Sequence, residues 1–344
     1  MLFKHSIAYN NNLTHHGRNL PNRNHIMNFE NNAELYLNNK IKIKNELNHN
    51  ILINQNPYEL PNIDTYVDNG YIGTHLSKRL AIEIYILQSK FQGFPVNLYL
   101  EAGCMLGGSL ILAHNAIKNM NTLGNNSITP PLFIALDPFL GDAHMWLWER
   151  RDENRKNWKH LRLKHGQPTI YERFLANIIK ANIQDDVIPF RTTSIVGFRT
   201  LIRMYNKRSI TTLPQIVYLD SAHEPDESFI EIKAAWCLLP ATTGGVLYGD
   251  DYSRYWPGLV NDLKRFGSLL DPNVDKINQI RNQIQNAMRK QSKQIITEVV
   301  SESERIIKMG AQWVIFKFPS DHDKICKGVS SSSGEPSRSK NNKK

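Results

Sequence analysis

Short apolar runs alternate with longer segments of mixed polarity through the middle of the chain. Five runs have the length and the β-branched or aromatic content of strands, at 96–100, 132–136, 186–191, 216–219 and 246–249. The segments around them carry apolar residues at helical spacing, at 74–91, 110–119, 171–181, 195–205, 226–239 and 259–266. Strands that alternate with helices predict βαβ units, in which the strands run parallel. The pattern therefore predicts an α/β fold.

The two ends of the chain differ in composition from this middle part. Residues 1–55 are rich in Asn and His, and residues 324–344 are rich in Ser and Lys. Such segments bury too little apolar area to offset their ordering entropy, so we predict disordered tails, the first with a short helix near 33–43. The domain then spans 56–323. Within it we predict a helical insertion at about 271–309 and a last, edge or antiparallel strand at 313–318.

Two of the predicted strands end in acidic residues. The run 216–219 stops at Asp220, and the run 246–249 stops at Asp250 and Asp251. Because ligands bind beyond the carboxyl ends of parallel strands, we expect these three carboxylates at one site. Clustered carboxylates raise one another's pKa, and a hard divalent cation such as Mg²⁺ is the simplest way to hold them together. The acids therefore indicate a metal site.

A glycine-rich loop joins the first predicted strand to its helix. It contains Glu101, Gly103, Gly107 and Ser109. In a nucleotide-binding loop of this kind, glycine lets a ligand approach the backbone and the helix N-terminus supplies amide donors. The loop lacks the G-x-G-x-x-G spacing of dinucleotide enzymes and fits the E-x-G-x-x-x-G loop of S-adenosylmethionine enzymes. The alternative is a tight turn that binds nothing.

Two further strand ends offer polar side chains to the same ligand. Asp137 follows the run 132–136, where an acid is the usual partner of ribose hydroxyls. Ser194 follows the run 186–191, where it could hydrogen-bond a ligand amine or an adenine edge, or cap the helix at 195–205. We therefore assign Asp137 to the cofactor and keep both roles of Ser194 open.

Charge and cysteine content narrow the class of protein. Most of the formal net charge of +10 lies in the tails, since 1–55 and 324–344 carry twelve basic and four acidic residues. The folded body is therefore a poor candidate for nucleic-acid binding. The three widely spaced cysteines, Cys104, Cys237 and Cys326, predict neither a disulfide framework nor a zinc site. They favour a reducing, cytoplasmic location, and no apolar run is long enough for a transmembrane helix.

Four motifs follow one another between residues 66 and 318. They are EAG with GGS at 101–109, LDPFLGD at 136–142, YLDSAH at 218–223 and GGVLYGDDY at 244–252. In these motifs the chain resembles class I S-adenosylmethionine-dependent methyltransferases, in particular the branch of cephalosporin-hydroxylase-like proteins and macrolide-sugar and aminocoumarin-sugar O-methyltransferases. The resemblance implies a Rossmann-like, doubly wound, mostly parallel seven-stranded sheet with helices on both faces. It also implies that Asp220, Asp250 and Asp251 match the Mg²⁺ carboxylates of metal-dependent members.

One position departs from the family pattern and affects the choice of proton acceptor. Some relatives carry a general base two residues after the first metal aspartate, and this chain has Ala222 there. His223, the next residue, is our candidate base, with a capping or packing role equally open. His144, which lies in the polar and aromatic segment after the cofactor acid, is a weaker candidate.

Together these features predict methyl transfer from S-adenosylmethionine to an oxygen, with a divalent cation at the acids and His223 taking the proton. The acceptor would be a small molecule or a sugar, chosen by loops such as 138–170. We leave homo-oligomerisation open. Two alternatives remain. A nicotinamide-dinucleotide-dependent oxidoreductase is disfavoured by the loop spacing, and a non-catalytic binding module is disfavoured by three adjacent carboxylates.

Overall fold

The chain folds as alternating strands and helices. The computed structural model describes residues 33–60, 62–67, 76–93, 95–119, 130–146, 160–272, 274–289, 305–321 and 325–326. The strands are β1 (Leu98–Ala102), β2 (Leu132–Leu136), β3 (Val187–Phe190), β4 (Ile216–Leu219), β5 (Gly245–Gly249), β6 (Ile306–Met309) and β7 (Gln312–Lys317). The helices are α1 (Ala33–Ile51), α2 (Lys78–Gln92), α3 (Gly108–Asn119), α4 (Ala143–Trp146), α5 (Ile170–Lys180), α6 (Ser194–Asn206), α7 (Glu227–Leu238), α8 (Pro257–Gly267) and α9 (Val274–Arg289).

The strands form a seven-stranded sheet in the order β3-β2-β1-β4-β5-β7-β6. Strands β1 to β5 are parallel, whereas β7 is antiparallel to both β5 and β6. The strand order reverses between β1 and β4, which is where open α/β sheets bind their ligands. The mostly parallel, doubly wound α/β sheet expected from the sequence is confirmed.

Helices cover both faces of the sheet because the strands are apolar on both sides. Tyr99 and Tyr218 belong to one core, together with residues of α2, α3, α5 and α9. Leu100 and Val217 belong to the other core, with residues of α1, α6, α7 and α8. Strands buried on both sides are typical of parallel sheets, and they leave the strand ends as the place for polar chemistry.

The last apolar run forms a strand inside the sheet. β7 is antiparallel, as predicted for 313–318, but it lies between β5 and β6 and not at the edge. The edge strand β6 falls within the predicted helical insertion at 271–309, so that prediction is wrong for Ile306–Met309. The strand is four residues long and depends on pairing with β7 across a turn at Gly310, whose φ is 64°. Helix α9 fits the prediction, and 290–304 lie outside the described residues.

Helix α1 corrects the predicted N-terminal tail. Residues 33–51 were expected to belong to a disordered segment that ends at residue 55, apart from a short helix near 33–43. Instead, they form a 19-residue helix that packs on the body. Ile43 and Leu47 are buried in the core. Lys40 Nζ lies 2.7 Å from Asp186 Oδ1 and donates to the carbonyl of Pro130. These few long-range contacts outweigh the polar composition. Of the predicted tails, 1–32, 324 and 327–344 lie outside the described residues. Ile325 and Cys326 are described and buried, so the disorder predicted from 324 onward is wrong for these two residues.

Two cysteines that the sequence left unpaired form a disulfide. Cys237 at the end of α7 and Cys326 have Cα atoms 5.5 Å apart, although 89 residues separate them. The expectation of no disulfide is therefore wrong for this pair, because only the fold brings the C-terminal residues back to α7. Cys104 is free and buried. None of the described helices is long and apolar enough to cross a membrane.

Candidate functional site

Four neighbouring parallel strands bring their carboxyl ends to one edge of the sheet. Ala102 at the end of β1 is level with Leu136 of β2 and with Leu219 of β4, and Leu219 is level with Gly249 of β5. The loops that follow therefore start side by side, at Gly103, Asp137, Asp220 and Asp250. This confirms the expectation that the glycine loop and the acids share one edge.

An aspartate–histidine cluster lies at the ends of β4 and β5. One ligand atom each from Asp220, His223 and Asp251 lies within 4.8 Å of the other two. His223 Nε2 is 2.6 Å from Asp251 Oδ2. Two carboxylates and an imidazole at these separations are a ligand set that a divalent cation accepts.

Asp250 lies beside this cluster and is not one of its three members. Its carboxylate accepts a 2.9 Å hydrogen bond from the backbone N–H of Asp251, and the side chain is buried. Its charge nevertheless acts on the cluster, because it raises the pKa of Asp220. Asp251 has a left-handed backbone with φ of 63°, so consecutive aspartates leave the strand in different directions.

The charges in the cluster are unbalanced. Burial raises the pKa of Asp220 to about 7, and the charges of Asp251 and Asp250 add to the rise. Burial alone would lower the pKa of His223, but the hydrogen bond to Asp251 and the surrounding acids raise it overall. Three carboxylates facing one imidazole carry excess negative charge. A bound cation would relieve that excess, so these residues fit a metal ion.

Trp256 fixes the plane of the His223 ring. The two rings stack with centroids 4.5 Å apart and an interplanar angle of 29°. Trp256 stands at the start of α8, where its backbone N–H donates to the carbonyl of Ser253. The imidazole is therefore oriented by stacking on one side and by Asp251 at Nε2. The sequence analysis did not identify Trp256, since nothing in its local pattern links it to a residue 33 positions earlier.

Ser194 lies against a buried acid. It is the first residue of α6, and its side chain hydrogen-bonds Glu231 of α7. Glu231 also accepts hydrogen bonds from Ser221 Oγ at 2.5 Å and from the Ala222 N–H at 3.3 Å. Glu231 is not among the site residues predicted from the sequence. The signal available was an acid on the face of α7 that also carries the buried Ser228, Ala235 and Trp236.

Close packing contacts explain why the loop has glycine at positions 103 and 107. Gly103 has φ of 87°, and a Cβ there would lie 2.0 Å from the carbonyl oxygen of Asp220. Gly107 has φ of 84°, and its Cβ would lie 3.2 Å from the ring of Phe174. Gly103 therefore lets the predicted cofactor loop touch the loop that carries the acids, so the two halves of the site adjoin.

Glu101 leaves one oxygen without a partner. Its Oε1 accepts a 2.5 Å hydrogen bond from Ser109 Oγ. Oε2 is buried and has no hydrogen-bond partner among the described residues. Burial raises the pKa of Glu101 well above its usual range, and the charges of Asp220 and Asp137 add to this. A buried acceptor of this kind suits a ligand that brings a cationic N–H group.

Asp137 holds the glycine loop in place. Its Oδ2 accepts from the Met105 N–H at 2.9 Å, and its Oδ1 accepts from the Phe139 N–H at 2.5 Å. Burial raises the pKa of Asp137, and these backbone donors oppose the rise. Each carboxylate oxygen has two lone pairs, so acceptor capacity remains for hydroxyl groups. Of the other predicted residues, His144 lies on the short helix α4, and its side chain is outside the described part.

A cavity among the described residues lies away from this chemistry. It has a volume of about 290 Å³ and is lined by residues such as Asn97, Gln215 and Thr242, with Cys237 and Cys326 in its wall. Asn97 and Gln215 precede β1 and β4, so the cavity is at the amino edge of the sheet. Its wall contains no carboxylate, histidine or lysine. We therefore place the candidate site at the carboxyl edge, where the titratable groups are.

Comparison with known proteins gives distant structural likeness. No family model and no curated protein matches the chain. A cofactor-bound crystal structure of Rv0187 from MTB is 14% identical, covering 88% of this chain and 98% of its own, with a TM-score of 0.34. The O-methyltransferase TomG from Streptomyces achromogenes is involved in tomaymycin synthesis and was solved with SAM. It is 16% identical and covers 70% of this chain and 81% of its own, with a TM-score of 0.34.

An O-methyltransferase from Bacillus cereus, solved with SAH, is 15% identical and covers 72% of this chain and 84% of its own, also at a TM-score of 0.34. TM-scores of this size do not establish a common fold. The sheet order and the site residues of this chain therefore carry the functional assignment.

Proposed function

We propose that this protein is a class I S-adenosylmethionine-dependent methyltransferase that methylates a hydroxyl oxygen. One observation carries the proposal: the E-x-G-x-x-x-G loop and the aspartate–histidine cluster adjoin at the switch point of the sheet, where the loop backbone at Gly103 abuts Asp220. The four motifs at 101–109, 136–142, 218–223 and 244–252 support the same family. A methyl donor and a hydroxyl acceptor need this adjacency, because transfer requires their reacting atoms in contact.

The cofactor would lie along the loop between β1 and α3. Glu101 offers its unpartnered Oε2 to the ammonium group of S-adenosylmethionine, and Gly103 lets the loop backbone approach the amino-acid end. Asp137 offers its remaining lone pairs to the ribose hydroxyls. Gly107 and Ser109 shape the loop and fix Glu101. Ser194 stays a proposed contact for the adenine or an amine, although its observed partner is Glu231.

We assign a divalent cation, Mg²⁺ or a similar ion, to the acid cluster. Asp220 and Asp251, which the cluster groups with His223, would be ligands. Asp250, expected from the sequence as a third ligand, lies beside the cluster and acts on it through its charge. When bound, such an ion supplies a positive charge that lowers the pKa of the acceptor hydroxyl. The excess negative charge around Asp220 is the observation that favours this assignment.

His223 would remove the proton from the acceptor hydroxyl. Because its Nε2 is held by Asp251, the neutral tautomer with hydrogen on Nε2 leaves Nδ1 free to act as the base. The acceptor oxygen attacks the methyl carbon in line, the O–C bond forms as the C–S bond breaks, and the sulfur leaves as a neutral thioether. The proton of the hydroxyl ends on His223. His144 remains the weaker candidate for this role.

The acceptor is proposed only by class, as a small molecule or a sugar with a free hydroxyl. The loop after β2 is the part of the chain placed to select it, since it leaves the sheet beside Asp137. A homo-oligomer remains a prediction from the sequence. A cytoplasmic location also remains one, but the Cys237–Cys326 disulfide removes the cysteine argument on which it was based.

Calorimetric titration of the purified protein tests the cofactor assignment. We expect S-adenosylmethionine to bind and NAD to give no heat. Glu101→Gln should weaken S-adenosylmethionine binding by about 10-fold or more, because a neutral amide replaces a charge-assisted acceptor. The matched change Glu227→Gln, at an exposed position of α7, should leave it unchanged. Tight NAD binding with no S-adenosylmethionine heat would contradict the proposal.

A further inference from the structure

The geometry points to Glu231 as a positioning residue that holds His223 in place by bracing the backbone of the loop before it. This inference rests on the proposed function, which gives His223 its role. Glu231 lies outside the four predicted motifs in the sequence. It lies in the second turn of α7, and it is 2% exposed.

Glu231 gathers three donors from two loops. Its Oε1 accepts from Ser221 Oγ at 2.5 Å, and its Oε2 accepts from the backbone N–H of Ala222 at 3.3 Å. The side chain of Ser194, at the start of α6, is a third partner. One carboxylate therefore joins the start of α6 to the residues that immediately precede His223.

The same helix holds the loop from its other side. Ser228 Oγ, one turn earlier on α7, lies 3.1 Å from the carbonyl oxygen of Ala222 and 3.2 Å from that of Glu224, as donor to these acceptors. The N–H and the C=O of Ala222 are thus both bound by side chains of α7. Because His223 follows directly, its backbone can move little unless α7 moves with it.

The stability of the fold does not call for this carboxylate. Around it α7 buries Ile232, Ala235 and Trp236, and an apolar residue would suit that surface. Burial raises the pKa of Glu231, and Ser194, Ser221 and the Ala222 N–H oppose the rise. A buried carboxylate is costly unless hydrogen bonds compensate it, and here the compensating donors belong to the loop before His223 and to the start of α6.

The bracing matters because the imidazole must meet two partners at once. His223 reaches Asp251 with Nε2 at 2.6 Å and stacks on Trp256 at 4.5 Å. Both partners belong to the segment after β5, whereas His223 follows β4. A loop free to shift by 1 Å would break the hydrogen bond or the stacking. Glu231 keeps the two segments in register through the backbone at Ala222.

Histidine ring-proton NMR tests the inference without a known acceptor. In the wild type, the His223 signal, identified by its loss in His223→Gln, should be shifted upfield by the ring current of Trp256. In Glu231→Gln that shift should collapse toward the position of an exposed histidine, and Ser221→Ala should reduce it. Glu227→Gln, which removes the same charge from an exposed position of α7, should retain the full shift.

An unchanged His223 shift in both Glu231→Gln and Ser221→Ala would overturn the inference. Should Glu231→Gln not fold, Ser221→Ala decides alone, since it removes one donor and leaves the carboxylate its other two. S-adenosylmethionine affinity, measured on the same samples, separates the two claims. Failure of the wild type to bind it would end the proposed function, whereas the NMR result would still decide the bracing.

Once an acceptor has been identified, kcat and the acceptor KM give a second test of the positioning role. Glu231→Gln should lower kcat by about 10- to 100-fold, the range found when a partner that orients a site residue is lost. The acceptor KM should stay within about 2-fold, because Glu231 does not touch the acceptor. A rise in KM with kcat unchanged would contradict a positioning role.

Discussion

The glycine loop and the aspartate–histidine cluster lie at the same edge of the sheet, yet their residues are explained differently. In the glycine loop, Gly103 and Gly107 fit close backbone approaches, and Asp137 binds the N–H groups of Met105 and Phe139. Folding alone accounts for these residues of the motif, although not for the buried, unpartnered Oε2 of Glu101. In the cluster, burial and neighbouring charges raise the pKa of Asp220 to about 7, which a fold has no need to provide. The cluster is therefore the stronger evidence for chemistry.

The largest expected effect concerns Gly103 in the glycine loop, whose residues are explained by folding. Gly103→Ala places a Cβ 2.0 Å from the carbonyl oxygen of Asp220 at a φ of 87°. We expect it to lower the free energy of unfolding by about 3 kcal/mol or more in urea titrations. Gly93→Ala is the matched control, since its φ is 74° and nothing lies within 4 Å, and it should lose about 1–2 kcal/mol. Equal losses would show that the contact with Asp220 is not close.

The second prediction tests whether the aspartate–histidine cluster binds a divalent cation. Mn²⁺ binding, followed by electron paramagnetic resonance, should weaken by about 10- to 100-fold in Asp251→Asn. The charge of Asp251 is lost while the side-chain shape is kept. Asp226→Asn removes a charge from an exposed residue before α7 and should bind Mn²⁺ as the wild type does. Equal affinity in both variants would exclude the cluster as the cation site.

The pH dependence of the free energy of unfolding tests whether the charge of Asp220 supports the fold. Its pKa is raised on folding, so the native state binds the proton more tightly than the unfolded chain. In chelator, the free energy of unfolding should therefore fall as the pH rises from about 4 to about 7, the interval between the unfolded and folded values.

Asp220→Asn should make that slope shallower, since the raised pKa values of Glu101, Asp137 and Glu231 still contribute to it. The variant should be more stable than the wild type by roughly 1–3 kcal/mol at pH 8. The same variant should lose methyl transfer, because a ligand carboxylate is gone. A variant that is less stable than the wild type at pH 8 would show that the charge of Asp220 supports the fold.

The last prediction concerns Ser109 in the glycine loop. Its Oγ is the donor to Glu101 Oε1, and Ser109→Ala leaves this buried carboxylate without that bond. We expect a loss of about 1–3 kcal/mol in the free energy of unfolding. Ser268→Ala, which removes an exposed hydroxyl bonded to the Arg265 carbonyl, should change stability by less than about 0.5 kcal/mol. Equal stability of Ser109→Ala and wild type would mean that another group satisfies Glu101.

Local patterns were enough to predict the sheet and the positions of its acids. Apolar runs that stop at Asp137, Asp220 and Asp250 mark strand ends, because a parallel strand is buried until its carboxyl end. The glycine spacing located the loop after β1. The side chains that meet there were less predictable: Asp251, not its neighbour Asp250, faces His223, and a left-handed backbone decides this.

The features that the sequence analysis missed depend on long-range contacts. Helix α1 is polar overall and is held by residues such as Ile43 and Lys40, whose partner Asp186 is far along the chain. The role of Glu231 depends on its hydrogen bonds with Ser194 and with the loop at 221–222. A window of local sequence contains neither Asp186 for Lys40 nor Ser194 for Glu231. For Glu231 the local signal was an acid on the buried face of α7.

The central claim is that the methyl donor and the cation occupy one site. Paramagnetic broadening of S-adenosylmethionine carrying a ¹³C-labelled methyl group, bound to the protein with Mn²⁺, measures this directly. We predict strong broadening of the bound methyl signal in the wild type and its recovery in Asp251→Asn at the same Mn²⁺ concentration. A methyl signal that stays sharp in the wild type while both ligands are bound would place them apart and contradict the account.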